Sequence, residues 1–416
     1  MICMAFHLFS DKMQKLIKTK GFLEPTSPQE LGIPEIVKGR NVLIIAPTGI
    51  GKTETAMLPL LDIVHTQKSK PISVLYITPL KSLNRDLLDR LFWWADKLEV
   101  EGSVRHGDTS QAERTSQREA PPHCLITTPE SLGALLTGKK MREHLKNIRH
   151  VIVDEIHELV ESKRGTQLAL LLERLKELCG DFQRIGLSAT VGSPELVAEF
   201  LGNDVRVIRA EAQKKYDIKV ESPRTTETDT EISDNLFVGV NTTARVRRLM
   251  ELIKEKTSVI VFTNTRETAE VLSSRLRSLD KELKQSVHHG SLSKERRITS
   301  EQKFKAQELK SLIATSSLEL GIDIGSVDLV AQYLSPRQVA RLIQRVGRAG
   351  HGVGRTSHGV IITGEEDIFE SAVIAKLAME RKLEKIKIHE MALDVLATQT
   401  LGMSLDEYSI HSNKIY

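Results

Sequence analysis

The stretch that most constrains this chain is Ala46-Pro47-Thr48-Gly49-Ile50-Gly51-Lys52-Thr53, set between an apolar run at 41–46 and a helical pattern from Thr53 onward. It fits the phosphate-loop pattern, except that Ala46 stands at the first glycine. Small residues there let successive backbone N–H groups point at phosphate oxygens. The helix N-terminus that follows adds positive potential at the same point. Strand, loop and helix in this order build a parallel sheet with helices on both faces, and the rest of the chain repeats the alternation. Strands are expected at 41–46, 73–78, 124–127, 150–154 and 184–188, with amphipathic stretches at 83–98 and 165–179. A second series follows at 258–262, 311–314, 327–332 and 359–363, with helices at 266–279 and 337–345.

Chemistry-bearing residues fall at the ends of these strands, where ligands of such sheets gather. In the expected nucleotide site, Thr48, Gly49, Ile50 and Gly51 cradle phosphates, Lys52 reaches the β- and γ-phosphates of ATP, and the Thr53 hydroxyl ligates Mg²⁺. Asp154-Glu155-Ile156-His157 follows the strand run at 151–153, and Ser188-Ala189-Thr190 ends another. Asp154 would hold the Mg²⁺ through its water shell, and Glu155 would orient or deprotonate the attacking water. An acidic strand end standing alone would be an exposed turn; behind a phosphate loop it reads as catalytic. Gln344-Arg345-Val346-Gly347-Arg348-Ala349-Gly350-His351 comes from the other half of the chain. Arg348 there would neutralise transition-state charge once the halves close on ATP, an effect of roughly 10³–10⁵ in rate in other nucleotide hydrolases. Gln344 and Arg345 join it as expected catalytic residues. Together the four motifs describe an ATP-driven nucleic-acid motor.

A length of 416 residues suggests two to three domains. Expected boundaries are 1–208 for a first α/β domain, 209–236 for a polar linker or exposed segment, 237–365 for a second α/β domain and 366–416 for a helical segment. Lys plus Arg (59) against Asp plus Glu (55) leaves +4, so any basic footprint must be local. Cys3, Cys124 and Cys179 are scattered, which suits neither a zinc site nor a cysteine-ligated cluster and fits a reducing, cytoplasmic interior. No apolar run approaches the length of a membrane helix. A soluble monomer is expected, with no membrane partner.

The motifs resemble those of superfamily 2 DExH-box helicases, whose core is two RecA-like domains, from about Phe22 to His351. Phe22-Leu23-Glu24-Pro25-Thr26-Ser27-Pro28-Gln29 resembles the Q-motif, which implies that Phe22 and Gln29 contact adenine. Thr78-Pro79-Leu80-Lys81, Arg105-His106-Gly107-Asp108-Thr109 and Thr128-Pro129-Glu130-Ser131-Leu132 resemble motif Ia, the motif that follows it, and motif Ib. The resemblance implies that Thr78, Pro79, Lys81, Thr109, Thr128 and Pro129 hold phosphates of a single strand of DNA or RNA without reading its sequence. In the second half, Thr265 and Arg266 fall in a motif IV, His289 and Gly290 in a motif IVa, and Thr315 in a motif V; these too would meet the strand. Gly321 and Asp323, in the same motif V, would lie near the nucleotide. The wording RHGDTS, DEIHEL, SSLELGIDIG and GRAGH is similar to the large-helicase-related (Lhr) branch, and residues 389–397 resemble the opening of its winged helix. That branch implies strand-stimulated ATP hydrolysis, 3′→5′ movement, and DNA repair or processing of RNA–DNA structures.

His351 stands where many superfamily members place a second arginine, so only Arg348 is carried over as the finger. Ser326 to Ile343 leave no room for a strand-separating hairpin between motifs V and VI. The expected activity is therefore a competent ATPase and translocase but a poor unwinder. An RNA helicase or ribonucleoprotein remodeller, or an ATPase fragment uncoupled from its strand, is the alternative. A phosphate-loop kinase or transporter fails to explain the second half. Trp93-Trp94 reads as core packing before base stacking, His157 as a coupling residue to Ser188–Thr190 or Gln344, His288-His289 as a strand end, and Lys294–Arg297 as a solvated face.

Overall fold

The computed structural model describes residues 5–47, 49–79, 85–210, 215–319, 325, 327–350, 356–407 and 411. Expectations that fall on Thr48, Leu80, Lys81, Gly321, Asp323 and His351 lie outside the described residues. The chain divides into two compact units, one of residues 1–211 with 385–416 and one of residues 212–384.

The first unit carries seven strands: β1 (Val42–Ile45), β2 (Val74–Ile77), β3 (Gly102–Arg105), β4 (Cys124–Thr127), β5 (His150–Val153), β6 (Gln183–Ser188) and β7 (Arg206–Arg209). They form one parallel sheet in the order β3-β4-β2-β5-β6-β1-β7. Successive residues of a strand point to opposite faces, and the two faces bury separate cores. Val42 and Ile44 join Tyr76, Ile126 and Ile152 on one side. Leu43 and Ile45 join Ile77, Leu125 and Val153 on the other. Burial on both faces explains why the central strands read as unbroken apolar runs.

The second unit carries β8 (Tyr216–Glu221), β9 (Val259–Phe262), β10 (Gln285–His288), β11 (Ser311–Ala314), β12 (Leu329–Tyr333) and β13 (Ser357–Ile362). They too pair in parallel, in the order β10-β11-β9-β12-β13-β8. Two parallel sheets flanked by helices make the pair of RecA-like domains that the resemblance implied.

Two expectations change. Residues 209–236 are not a linker throughout: they include β8, which pairs with β13, and the helix Glu227–Leu236. Their polar residues conceal a buried anchor. Asp229 is fully buried, accepts the backbone N–H of Thr226 at 2.8 Å, and takes Arg247 Nε at 2.8 Å and Nη2 at 3.1 Å. Residues 366–416 are also not one segment. The helix Ile368–Met379 packs its Ile374, Ala375 and Ala378 into the second unit's core. Ile386 and Ile388 instead join the first unit's core, and the helix Leu393–Glu407 lies on the helix Lys163–Cys179.

Candidate nucleotide and strand sites

β1 hands the chain to the phosphate loop and then to the helix Lys52–Gln67. Gly51 stands just before that helix at φ +84°, a conformation that glycine adopts without penalty. A Cβ there would lie 2.8 Å from Gln29 Nε2, so the Q-motif glutamine is packed against the loop. Gln29 is buried, and its Oε1 accepts the N–H of Thr26 at 2.9 Å. The Thr26 hydroxyl donates to the Ile50 carbonyl at 2.9 Å. Gln29 thus keeps its amide N–H₂ and one oxygen lone pair for a ligand edge. Lys52 is buried, and its Nζ donates to the carbonyls of Ala46 at 2.8 Å and Pro47 at 3.4 Å.

Asp154 and Glu155 leave the tip of β5, two places from β1 in the sheet. Asp154 is buried; one carboxylate oxygen accepts the Glu155 N–H at 2.9 Å and the other the Tyr76 hydroxyl at 2.5 Å. Tyr76 is fully buried in β2. The Asp154–Tyr76 link is one that sequence reading did not name. Burial, and then the Glu155 charge, push the Asp154 carboxyl up to about 7. Glu155 sits at φ +43° and its Oε2 is buried with no hydrogen-bond partner. A non-glycine residue at positive φ and an orphaned acceptor are both costly, and such costs gather at functional sites.

His157 follows on a single-turn helix, His157–Val160. Its Nδ1 lies 3.3 Å from the Ala189 N–H and 3.3 Å from the Ser188 hydroxyl, so the DEIH and SAT segments are joined within this unit. Burial holds the imidazole down at about 4. The neutral ring accepts the Ala189 proton. Phe22 stacks on Trp94 with ring centroids 5.9 Å apart, Trp93 meets Trp94 edge-on at 4.9 Å, and Lys20 covers Trp93 at 4.1 Å. Trp94 is 1% exposed and belongs to the core.

The expected strand residues form a second group at the ends of β2, β3 and β4, which are neighbours in the sheet. Thr78 is buried after β2 and donates its N–H to Thr127. Thr109 accepts the His106 N–H at 2.9 Å beyond β3. Thr128 caps the helix Pro129–Leu136 beyond β4. The same grouping recurs in the second unit at β9, β10 and β11. Thr265 caps the helix Arg266–Leu279, and Arg266 reaches the Ser291 hydroxyl at 2.9 Å beside Gly290. Thr315 is buried, and its N–H donates to the His288 carbonyl at 3.3 Å. His288 and His289 each carry a carboxylate partner from a helix, Glu301 at 2.7 Å and Glu270 at 2.8 Å. Among the described residues no group of three His, Cys, Asp or Glu could hold a metal ion, and no helix is long and apolar enough to cross a membrane.

Arg345 differs from the expectation of a catalytic arginine. It is 1% exposed and bonds within the second unit to Glu319, Gln332 Oε1 at 2.6 Å and Asn264 Oδ1 at 3.1 Å. Its helix, Val339–Val346, turns it inward to neutralise a buried carboxylate. Arg348 Nη2 donates to the Glu319 carbonyl, and Gln344 is half-buried on the same helix.

Residues 26–197 match the DEAD/DEAH box helicase family, and residues 244–352 match the helicase conserved C-terminal domain. The chain is similar to the ATP-dependent helicase Lhr-Core of Sulfolobus acidocaldarius, 41% identical over 98% of this chain and 49% of that protein. It is also similar to the ATP-dependent helicase Lhr-Core protein 2 of Thermococcus barophilus, 40% identical over 97% of this chain and 49% of that protein. Among solved structures it resembles the Mycobacterium smegmatis helicase Lhr bound to ssDNA and AMP-PNP, with a TM-score of 0.83 and 38% identity over 95% of this chain and 53% of that one. The chain spans about half the length of the curated relatives it matches.

Proposed function

This chain belongs to the DEAD/DEAH-box helicases, with a core similar to that of the Lhr proteins, and from that premise we propose that it hydrolyses ATP to move along a single strand. In this reading it travels 3′→5′ on DNA, in DNA repair or the processing of RNA–DNA structures. The observation that carries it is Glu155: a buried carboxylate oxygen with no hydrogen-bond partner, beside Asp154 and at the same carboxyl-terminal end of the sheet's strands as the phosphate loop. An acceptor held out of water in this way suits the orientation of an attacking water. Gln29 reads the adenine edge, and Lys52 exchanges its loop carbonyls for phosphate oxygens. The donor chemistry of Thr53 and Asp154, a hydroxyl and a buried carboxylate, fits Mg²⁺. Thr53 and Asp154 would hold that ion, which would supply neutralisation of phosphate charge. Arg348 is carried forward as the arginine that answers transition-state charge.

Thr78, Pro79, Thr109, Thr128 and Pro129, with Thr265, Arg266, His289, Gly290 and Thr315, hold strand phosphates without reading bases. Their clustering at neighbouring strand ends in each sheet supports this. The test is ATP turnover with and without matched single-stranded DNA and RNA, using Glu155→Gln as the blank. Stimulation by DNA above RNA is the expected result. Better stimulation by RNA would replace DNA as the track, and turnover no higher than the blank would overturn the reading.

A further inference from the structure

Arg164 lies just beyond the DEIH segment, in the first turn of the helix Lys163–Cys179. Its guanidinium forks. Nε donates to Glu130 Oε1 at 2.5 Å and Nη2 to Glu130 Oε2 at 3.2 Å, while Nη2 also donates to the Pro79 carbonyl at 2.7 Å. Pro79 belongs to the loop after β2, and Glu130 to the first turn of the helix that Thr128 caps. One side chain therefore ties the two candidate strand loops to each other and to the backbone leaving the ATP site.

That backbone has little room to yield. A Cβ on Gly165 would lie 2.2 Å from the Leu159 carbonyl oxygen, so the turn is packed directly on the single-turn helix after Glu155. The C-terminal segment holds the same turn. Lys163 pairs with Asp394 at 2.8 Å, the Thr166 hydroxyl donates to the His389 carbonyl at 2.8 Å, and the Lys387 N–H donates to Glu161 at 3.0 Å. The DEIH tip and Arg164 are thus joined through one closely packed turn.

We propose that Arg164 is a positioning residue that couples the ATP site to the strand loops by setting the separation of Pro79 from the Thr128-capped helix. It rests on the reading that these two loops hold the strand; Arg164 itself touches neither strand nor nucleotide. An ion pair with side chains 39% and 44% exposed adds little to stability. The effect belongs to geometry, where a displacement of about 1 Å costs up to about 10²-fold in activity.

The test titrates ATP turnover with single-stranded DNA for the full chain and for Arg164→Ala, Glu130→Ala, their double variant and Thr128→Ala. Arg164→Ala should raise the half-stimulating strand concentration about tenfold. Strand-free turnover should stay within about twofold and melting within about 2–4 °C. The double variant should be no worse than Arg164→Ala, because the pair acts as one unit. Arg164→Lys should not restore coupling, since an ammonium cannot fork. Unchanged strand response in Arg164→Ala, with an impaired response in Thr128→Ala, would reduce the pair to a surface contact and overturn the proposal. If Thr128→Ala also left the response unchanged, the strand assignment would fail and the proposal with it.

Discussion

Arg345 and Glu319 form a buried pair in which two guanidinium nitrogens, Nε and Nη2, reach the same carboxylate oxygen at 2.7 and 2.6 Å. Removing one partner strands the other charge out of water. Arg345→Ala should therefore destabilise the second unit by about 3–5 kcal/mol. Arg348→Ala should act mainly on catalysis, cutting turnover by roughly 10³-fold or more. Melting curves beside ATP turnover separate the two; an unchanged melting temperature for Arg345→Ala would remove it from the structural role.

Glu155→Gln keeps the shape of the site but cannot take a proton. It should bind a fluorescent ATP analogue with ordinary affinity while losing at least about 10²-fold in turnover. Near-normal turnover would move the base role elsewhere.

Thr315 follows β11 directly and sits against the His288 carbonyl, with Ser317 hydrogen-bonded to the His288 ring at 2.8 Å. Thr315→Ala should lose about tenfold in strand affinity, about the worth of one charge-assisted hydrogen bond. The larger loss should be in strand affinity rather than strand-free turnover. Titration by fluorescence anisotropy decides it, and full strand affinity would take Thr315 off the strand.

Burial and an acceptor role at Nδ1 keep His157 neutral down to about pH 4, against 6.5 for an ordinary imidazole. Above pH 6.5 neither the folded nor the unfolded chain protonates it. As pH falls from 6.5 toward 4, only the unfolded chain gains the proton, so stability drops by at most about 3 kcal/mol across that window. His157→Gln should flatten the fall in melting temperature between pH 7 and 4.5. Parallel curves for the two chains would mean that the ring is solvated.

What was legible in the sequence follows the burial of each strand. The nine expected strands are the ones flanked on both sides within the two sheets. The four absent from the alternating series, β3, β7, β8 and β10, are the four sheet edges. Edge strands are covered less completely and carry polar residues, as in Arg206 and Arg209 of β7, so their hydrophobic signal is weak. The phosphate loop and DEIH box were legible because local chain order builds them. Tyr76 was not: a tyrosine in an apolar strand shows only that its hydroxyl needs a partner, and the partner lies 78 residues away. The pairing of Arg345 with Glu319 was not legible because a glycine-rich basic motif looks the same whether its arginine faces a ligand or a buried carboxylate. Asp229 hid in a polar stretch for the same reason.

The path of the chain out of the first unit at 211 and back at 385 has a practical result. Residues 1–211 alone are that unit with a piece missing. A cut after residue 211 would strip Ile386 and Ile388 from the core and leave Lys163, Thr166 and Arg174 facing water where Asp394, His389 and Gln399 had been. The excised middle, by contrast, carries its own complete sheet from β8 to β13. Dissection of this protein is therefore lopsided: the inner portion can be lifted out whole, while the outer one has to be rebuilt by splicing its two ends together.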